Sequence, residues 1–209
     1  MLPLTRVAPC AVRGRRPKVD CVSAEQSLPR IVAFSGSAKR PSRTRELVEA
    51  VAAELGRLRR IDLSVYDLAD AGAGLGATQR CDLTPDAVRV VEAIEGADAL
   101  IVGTPVYKGA YAGLFKHVFD FVEPATLAGK PVALTATGGG LRHALVVEHA
   151  LRPLFGFFMA HMAPTAVYAG PDDIVEGAVA DAVVAGRVVA AAGELAALLD
   201  LARLAKSGA

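Results

Sequence analysis

Ala99-Leu-Ile-Val-Gly-Thr-Pro-Val-Tyr-Lys-Gly-Ala-Tyr-Ala-Gly113 decides how this chain folds. After Asp98 the segment stays free of charge until Lys108. Continuous apolar character of this kind marks a strand buried on both faces, as in a parallel sheet. Gly103 and Pro105 then break the strand pattern, and a helical pattern begins at Gly113. The order strand, loop, helix recurs twice. Ile31-Val-Ala-Phe34 leads into Ser35-Gly-Ser-Ala-Lys-Arg-Pro-Ser-Arg-Thr44, and Pro131-Val-Ala-Leu-Thr-Ala136 leads into Thr137-Gly-Gly-Gly140. All three loops leave the carboxyl ends of strands, where open parallel sheets bind their ligands.

Outward from these segments, strand and helix patterns alternate. The spacing predicts a helix over Thr44–Leu55, a strand over Ile61–Tyr66 and a helix opening at Thr84-Pro85. Thr84 suits a cap and Pro85 the first helical position. Further helices are expected over Gly113–Val122 and Arg142–Met159, with a fifth strand at Thr165–Tyr168 between the latter and a long alanine-rich helix over Ile174–Leu204. Gly177, Gly186 and Gly193 are candidate bends in that last helix. The stretch Gly72-Ala-Gly-Leu-Gly76 reads as a flexible linker, because its glycines lack the spacing and the strand-to-helix setting of a dinucleotide fingerprint. The expected fold is an α/β, doubly wound, five-stranded parallel sheet of flavodoxin-like order 2-1-3-4-5.

Composition narrows the class. Hydrophobic residues make up 53% of the chain and mean hydropathy is +0.38, but Glu148, Arg152, Asp181, Arg187 and Glu194 interrupt the apolar stretches. No membrane-spanning helix is expected. Residues 1–30 carry six Lys/Arg against Asp20 and Glu25, so a chain of net charge +1 has an acidic remainder of −3. That balance argues against a nucleic-acid face on the folded part. Residues 1–29 read as a disordered extension ahead of a single domain over 30–209, without the apolar core of a secretory signal. Cys10, Cys21 and Cys81 are odd in number and lack zinc spacing, which predicts a cytoplasmic protein without disulfides or structural metal.

The first loop gathers hydroxyls (Ser35, Ser37, Ser42, Thr44) and cations (Lys39, Arg40, Arg43) ahead of a helix N-terminus. Such a set suits an anion, most simply a phosphate. It lacks the Walker pattern, so a nucleotide triphosphatase is not expected. In the second loop, Pro105 stiffens the backbone while Tyr107 and Tyr111 offer aromatic surface that suits a planar ring or an ordinary half-buried packing site. In the third, Thr137-Gly138-Gly139 permits close approach of backbone N–H groups to a flat heterocycle, although a turn alone would also use these residues.

With these motifs in view, the chain resembles the NAD(P)H-dependent FMN reductases of the alkanesulfonate-utilisation type. The resemblance rests on Gly36-Ser37, Pro41-Ser42-Arg43-Thr44, Thr104-Pro-Val-Tyr-Lys108 with Tyr111 and Gly113, Leu127-Ala-Gly-Lys130, and Ala136-Thr-Gly-Gly139 with His143. It covers about residues 30–173, and Thr-Pro-Val-Tyr-Lys-x-x-Tyr is its most specific part. It implies a flavodoxin-like enzyme that reduces FMN with NADPH or NADH and passes the reduced flavin to a partner monooxygenase. By that resemblance Ser37, Ser42, Arg43 and Thr44 hold the flavin phosphate. Pro105, Val106, Tyr107 and Lys108 line the ribityl chain and ring, Tyr111 joins that wall, and Thr137, Gly138 and Gly139 bond the ring edge. The usual Gly-Ser-Pro-Arg start is replaced here by Gly36-Ser-Ala-Lys39.

No catalytic base and no metal are expected, since hydride passes directly between the two cofactors. Two other readings stay open: a reductase that retains FMN and reduces quinones, azo dyes or metal oxyanions, and a flavodoxin-like electron carrier without nicotinamide chemistry. Pro153 lacks an N–H, so a kink or π-bulge is expected over His149–Pro153. His149 there resembles an inserted residue of related reductases, whereas His143 and His149 as single histidines are more simply structural. Leu145, Leu154, Phe155, Phe157, Phe158 and Met159 exceed one buried stripe, which predicts a homodimer or homotetramer.

Overall fold

The computed structural model describes residues 27–207. Residues 1–26, most of the extension anticipated from sequence, lie outside them. The three decisive strands are β1 (Arg30–Ser35), β3 (Ala99–Tyr107) and β5 (Pro131–Thr137), with β2 (Asp62–Asp67) beside β1. Their order is β2-β1-β3-β5, all parallel, which gives the anticipated doubly wound sheet. Two short strands, β6 (His161–Met162) and β7 (Val167–Ala169), share the far edge of β5 where one fifth strand was predicted. An added antiparallel strand, β4 (Ala110–Tyr111), pairs with the end of β3, so the sheet counts seven strands.

Alternation along the strands divides the core. Val32, Phe34, Leu100, Val102 and Leu134 face α3 (Pro85–Gly96), α4 (Gly113–Asp120) and α5 (Arg152–Phe157). Ile31, Ala33, Ala99, Ile101 and Ala133 face α1 (Arg43–Leu58) and α6 (Ala182–Ser207). This is the two-residue period of a sheet covered on both sides. Small side chains on the second face let Leu47, Val48 and Val51 of α1 and Leu195 and Leu199 of α6 come close to the strands. The helix starts follow local chemistry: Ser42 Oγ accepts from the N–H of Arg45, and Thr84 Oγ1 accepts from that of Ala87, with Pro85 at the first helical position.

Several sequence expectations need correction. The long C-terminal helix begins at Ala182, because residues 174–179 form the hairpin β8 (Ile174–Val175) and β9 (Ala178–Val179). Glu176 and Gly177 close it with φ of 49° and 81°, the pairing of a primed two-residue turn. Gly186 and Gly193 lie within one continuous helix. Although α6 is long and apolar enough to cross a membrane, Val188, Ala191, Leu195 and Leu199 pack it onto the sheet. Its charges are tied to the same fold, Arg187 to the carbonyl of Ala166 and Glu194 to Thr165.

The Gly72–Gly76 stretch is a compact 3₁₀ turn rather than a loose linker. Leu75 enters the core, and any Cβ on Gly74 would lie 2.1 Å from Thr84 Oγ1. It follows α2 (Leu68–Ala71), a single helical turn. The expected helix over Arg142–Met159 is broken into a 3₁₀ turn at Leu141–His143, a π-helical turn at Val147–Leu151 and α5. The bulge therefore falls two residues ahead of the predicted start and includes His149. The Arg152 N–H reaches the Val147 carbonyl, a five-residue step.

Candidate active site

The loops after β1, β3 and β5 converge on one open cleft of about 360 Å³. Ser37, Ser42, Arg43, Thr44, Pro105, Val106, Tyr107, Thr137, Gly138 and Gly139 all line it, as the sequence reading requires, and Lys39 and Pro41 join them. Lys108 and Tyr111 do not reach its wall. The second loop is a hairpin: Val106 pairs with Tyr111 and Tyr107 with Ala110, and Lys108 and Gly109 form its tip with φ of 53° and 84°. Tyr111 packs its ring against Phe115, with centroids 6.2 Å apart, while Tyr107 stands 56% exposed beside the cleft.

The first loop brings hydroxyls, cations and free N–H groups to one end of the cleft. Ser42 caps α1, and among the described residues no acceptor meets the N–H groups of Arg43 and Thr44. Free N–H groups at a helix start carry partial positive charge. Arg43 Nη1 donates to the carbonyl of Pro171 at 2.7 Å, which anchors this cation to the chain beyond β7 and leaves its other donors available. Gly36 is sterically required below the loop, since an added Cβ would lie 2.6 Å from Phe115. Thr44 Oγ1 and Thr137 Oγ1, both buried, are 2.6 Å apart and tie the first loop to the third.

Arg40 does not serve the cleft. Its guanidinium makes a bidentate pair with Asp67, both contacts at 2.7 Å, and a further 2.7 Å ion pair with Asp70. Burial pushes the Asp67 carboxyl upward, but hydrogen bonds from Arg40 and Arg45 outweigh it and hold the group below its ordinary value. Sequence reasoning missed this role of Asp67 because acids at a strand end are common. The nearby basic loop was the available signal.

The third loop carries less hydrogen-bonding capacity than its glycines suggested. The Gly138 N–H already donates to the Ala169 carbonyl at 3.1 Å, and a Cβ there would lie 2.3 Å from Tyr168 Oη. Tyr168 in turn donates to the Gly140 carbonyl at 2.7 Å. Gly138 thus gives shape, and Tyr168 props the loop. Gly139 is exposed, its N–H has no acceptor among the described residues, and nothing lies within 4 Å of where its Cβ would be. It offers bare, uncrowded backbone to the cleft.

A larger hollow of about 560 Å³ lies between α4 and α5, lined by Phe119, Phe157 and Phe158. It shares no lining residue with the cleft of convergent hydroxyls, cations and free N–H groups. Chemistry therefore selects the smaller cleft.

The sequence profile of the NADPH-dependent FMN reductases matches residues 29–173, the span that builds the sheet through β7 and all three loops. The chain belongs to that family. It is 49% identical over 145 residues to an FMN reductase (NADPH) of Pseudomonas aeruginosa, covering 69% of this chain and 78% of that protein. It is 46% identical over 145 residues to an NADH-dependent FMN reductase, SfnF, of Pseudomonas putida, covering 68% and 78%. Among solved structures, an oxidoreductase of Corynebacterium diphtheriae superposes with a TM-score of 0.70 at 31% identity, covering 83% of this chain and 98% of that one. This reductase is accordingly an NAD(P)H:FMN oxidoreductase of flavodoxin-like fold, of the type that the Thr-Pro-Val-Tyr-Lys segment resembled.

Proposed function

We propose that the reductase holds FMN in this cleft with the phosphate on the first loop and the ring between the hairpin and the third loop. The donor set fits the group. At one end stand Ser37, Ser42, Lys39 and Arg43 with the free N–H groups of α1, and at the other stand Thr137 and the bare backbone of Gly139. When bound, FMN supplies the hydride acceptor.

The chain's own residues bind and orient. Charge-assisted hydrogen bonds from Arg43 and Lys39 fix the anionic end, and Pro105 and Val106 form a stiff wall that fixes the angle of a ring. Tyr107 leaves an exposed aromatic edge beside it. Aligning two reactants in this way lowers the barrier by up to about 7–11 kcal/mol in the best intramolecular cases. No described side chain in the cleft needs to act as acid or base for a direct hydride transfer.

The same reading assigns the protein to the cytoplasm as a homodimer or homotetramer, and has it hand reduced FMN to a separate flavin-dependent monooxygenase. Exposed Leu141, Leu145, Phe157 and Met159 support association between copies. The observation that carries the proposal is the convergence of three loops on one cleft, with hydroxyls, cations and free N–H groups at one end and bare glycine backbone at the other. Steady-state oxidation of NADH and of NADPH with free FMN, FAD and riboflavin tests it. Turnover of added FMN with little flavin retained through gel filtration is expected; tight retention with reduction of a quinone or azo acceptor would replace the transfer role.

A further inference from the structure

The Asp67 side chain is only 1% exposed, yet it lies at the carboxyl end of β2 next to the anion-binding loop. Three attachments converge there. Asp67 takes the bidentate pair from Arg40, inside the loop, and a 2.7 Å ion pair from Arg45, in the first turn of α1. The next residue, Leu68, donates its N–H to the carbonyl of Ser37 at 3.3 Å. Asp67 Oδ1 also accepts from the N–H groups of Ala69 and Asp70, so the anchor is itself fixed by a capped turn. The loop is thereby gripped at Ser37, at Arg40 and just past Ser42, while Lys39 and Ser42 between those grips, and Ser37 itself, line the cleft.

The geometry points to Asp67 as a positioning residue for phosphate recognition: through Arg40 and Arg45 it holds the loop in its binding conformation before the ligand arrives. This rests on the assignment of the flavin phosphate to that loop. Two effects of Asp67 oppose one another, and their balance makes the role measurable. Its negative charge near the site disfavours a phosphate, so charge alone predicts that Asp67→Asn tightens FMN. Preorganisation predicts the reverse, because a freed loop must be ordered on binding. Asn retains the ability to cap the α2 turn, so the substitution separates the clasp from the cap.

The test is the dissociation constant of FMN and of riboflavin, read by flavin fluorescence, for the wild type, Asp67→Asn, Arg40→Met and the double variant. Arg40→Met changes an exposed side chain and tests the clasp even where Asp67→Asn compromises folding. Each single variant is expected to weaken FMN about three- to tenfold, the cost of ordering one or two side chains, with riboflavin unmoved. The double variant should be no worse than either single one, since both break the same clasp. Tighter FMN binding by Asp67→Asn, equal losses for both flavins, or additive losses in the double variant would overturn the positioning role. A wild type that does not distinguish FMN from riboflavin would instead overturn the phosphate assignment itself.

Discussion

Thr44 Oγ1 and Thr137 Oγ1 share one buried hydrogen bond of 2.6 Å between the first turn of α1 and the end of β5. One hydroxyl must donate to the other, so of their two protons only one remains for a ligand. Thr44→Val or Thr137→Val leaves the remaining hydroxyl unpaired, which costs about 1–3 kcal/mol. Denaturant titration should show that loss for each single variant and a smaller loss per site in the double variant, which has no orphaned hydroxyl. Strictly additive losses would show that each threonine acts through packing alone.

Arg43 tests the phosphate end directly. Arg43→Ala removes a charge-assisted bond worth about 1.5–3 kcal/mol, near the lower limit at so exposed a site. The Michaelis constant for FMN should therefore rise about tenfold, and that for riboflavin should stay within about twofold. Since Arg43 also holds the Pro171 carbonyl, equal losses for both flavins would mark it as a tether of the Pro171 chain rather than a phosphate ligand.

Acid titration should report the same clasp that orders the loop. Asp67 has its folded-state value below the ordinary 3.8, so its stabilisation is complete above that value and is lost as pH falls through the lowered one. Thermal midpoints of the wild type and Asp67→Asn should differ at pH 7 and converge on acidification below about pH 4. A gap of constant size down to pH 3 would mean that the carboxylate's charge contributes nothing.

The elements most legible in the sequence were those with a single physical driver. Apolar runs gave β1, β3 and β5, and Thr84-Pro85 marked the start of α3. Less legible were features set by chain geometry. Lys108-Gly109 and Glu176-Gly177 close hairpins through positive φ at a residue that is not glycine, so neither pair looks like the usual Asn-Gly turn. The fifth strand is split around Pro164, which has no N–H for a ladder, and there Arg152 holds the carbonyls of Ala163 and Pro164 while Glu194 holds Thr165. The cleft was nearly complete from sequence, since its parts lie on three loops of recognisable composition. The exceptions were decided by direction: Arg40 turns to Asp67, Lys39 lines the cleft, and Lys108 sits at the hairpin tip.

Deleting residues 1–26 should leave FMN turnover within about twofold, because the family match and the first strand both begin after them. Ser27, the first described residue, is held from α6 by a long 3.3 Å bond from Arg203 to its carbonyl. Loss of turnover or of soluble protein in the truncated chain would assign the extension a part in the fold.

His149 is exposed in the π-helical turn, four residues after the exposed Leu145. Its N–H bonds the Leu145 carbonyl, the Arg152 N–H steps back five residues to Val147, and Pro153 has no N–H to restore an ordinary turn. His149→Ala keeps this backbone and should preserve the fold while shifting oligomer mass or flavin retention. Removing His149 outright takes away the extra residue of the turn, rotates Leu145 and its neighbours relative to Phe157 and Met159, and should shift both more severely. Size-exclusion mass and bound-flavin absorbance, measured together on both variants, decide the matter. If mass, flavin content and turnover all stay at wild-type values in both, the turn only accommodates Pro153, and no role in assembly or flavin handling belongs to it.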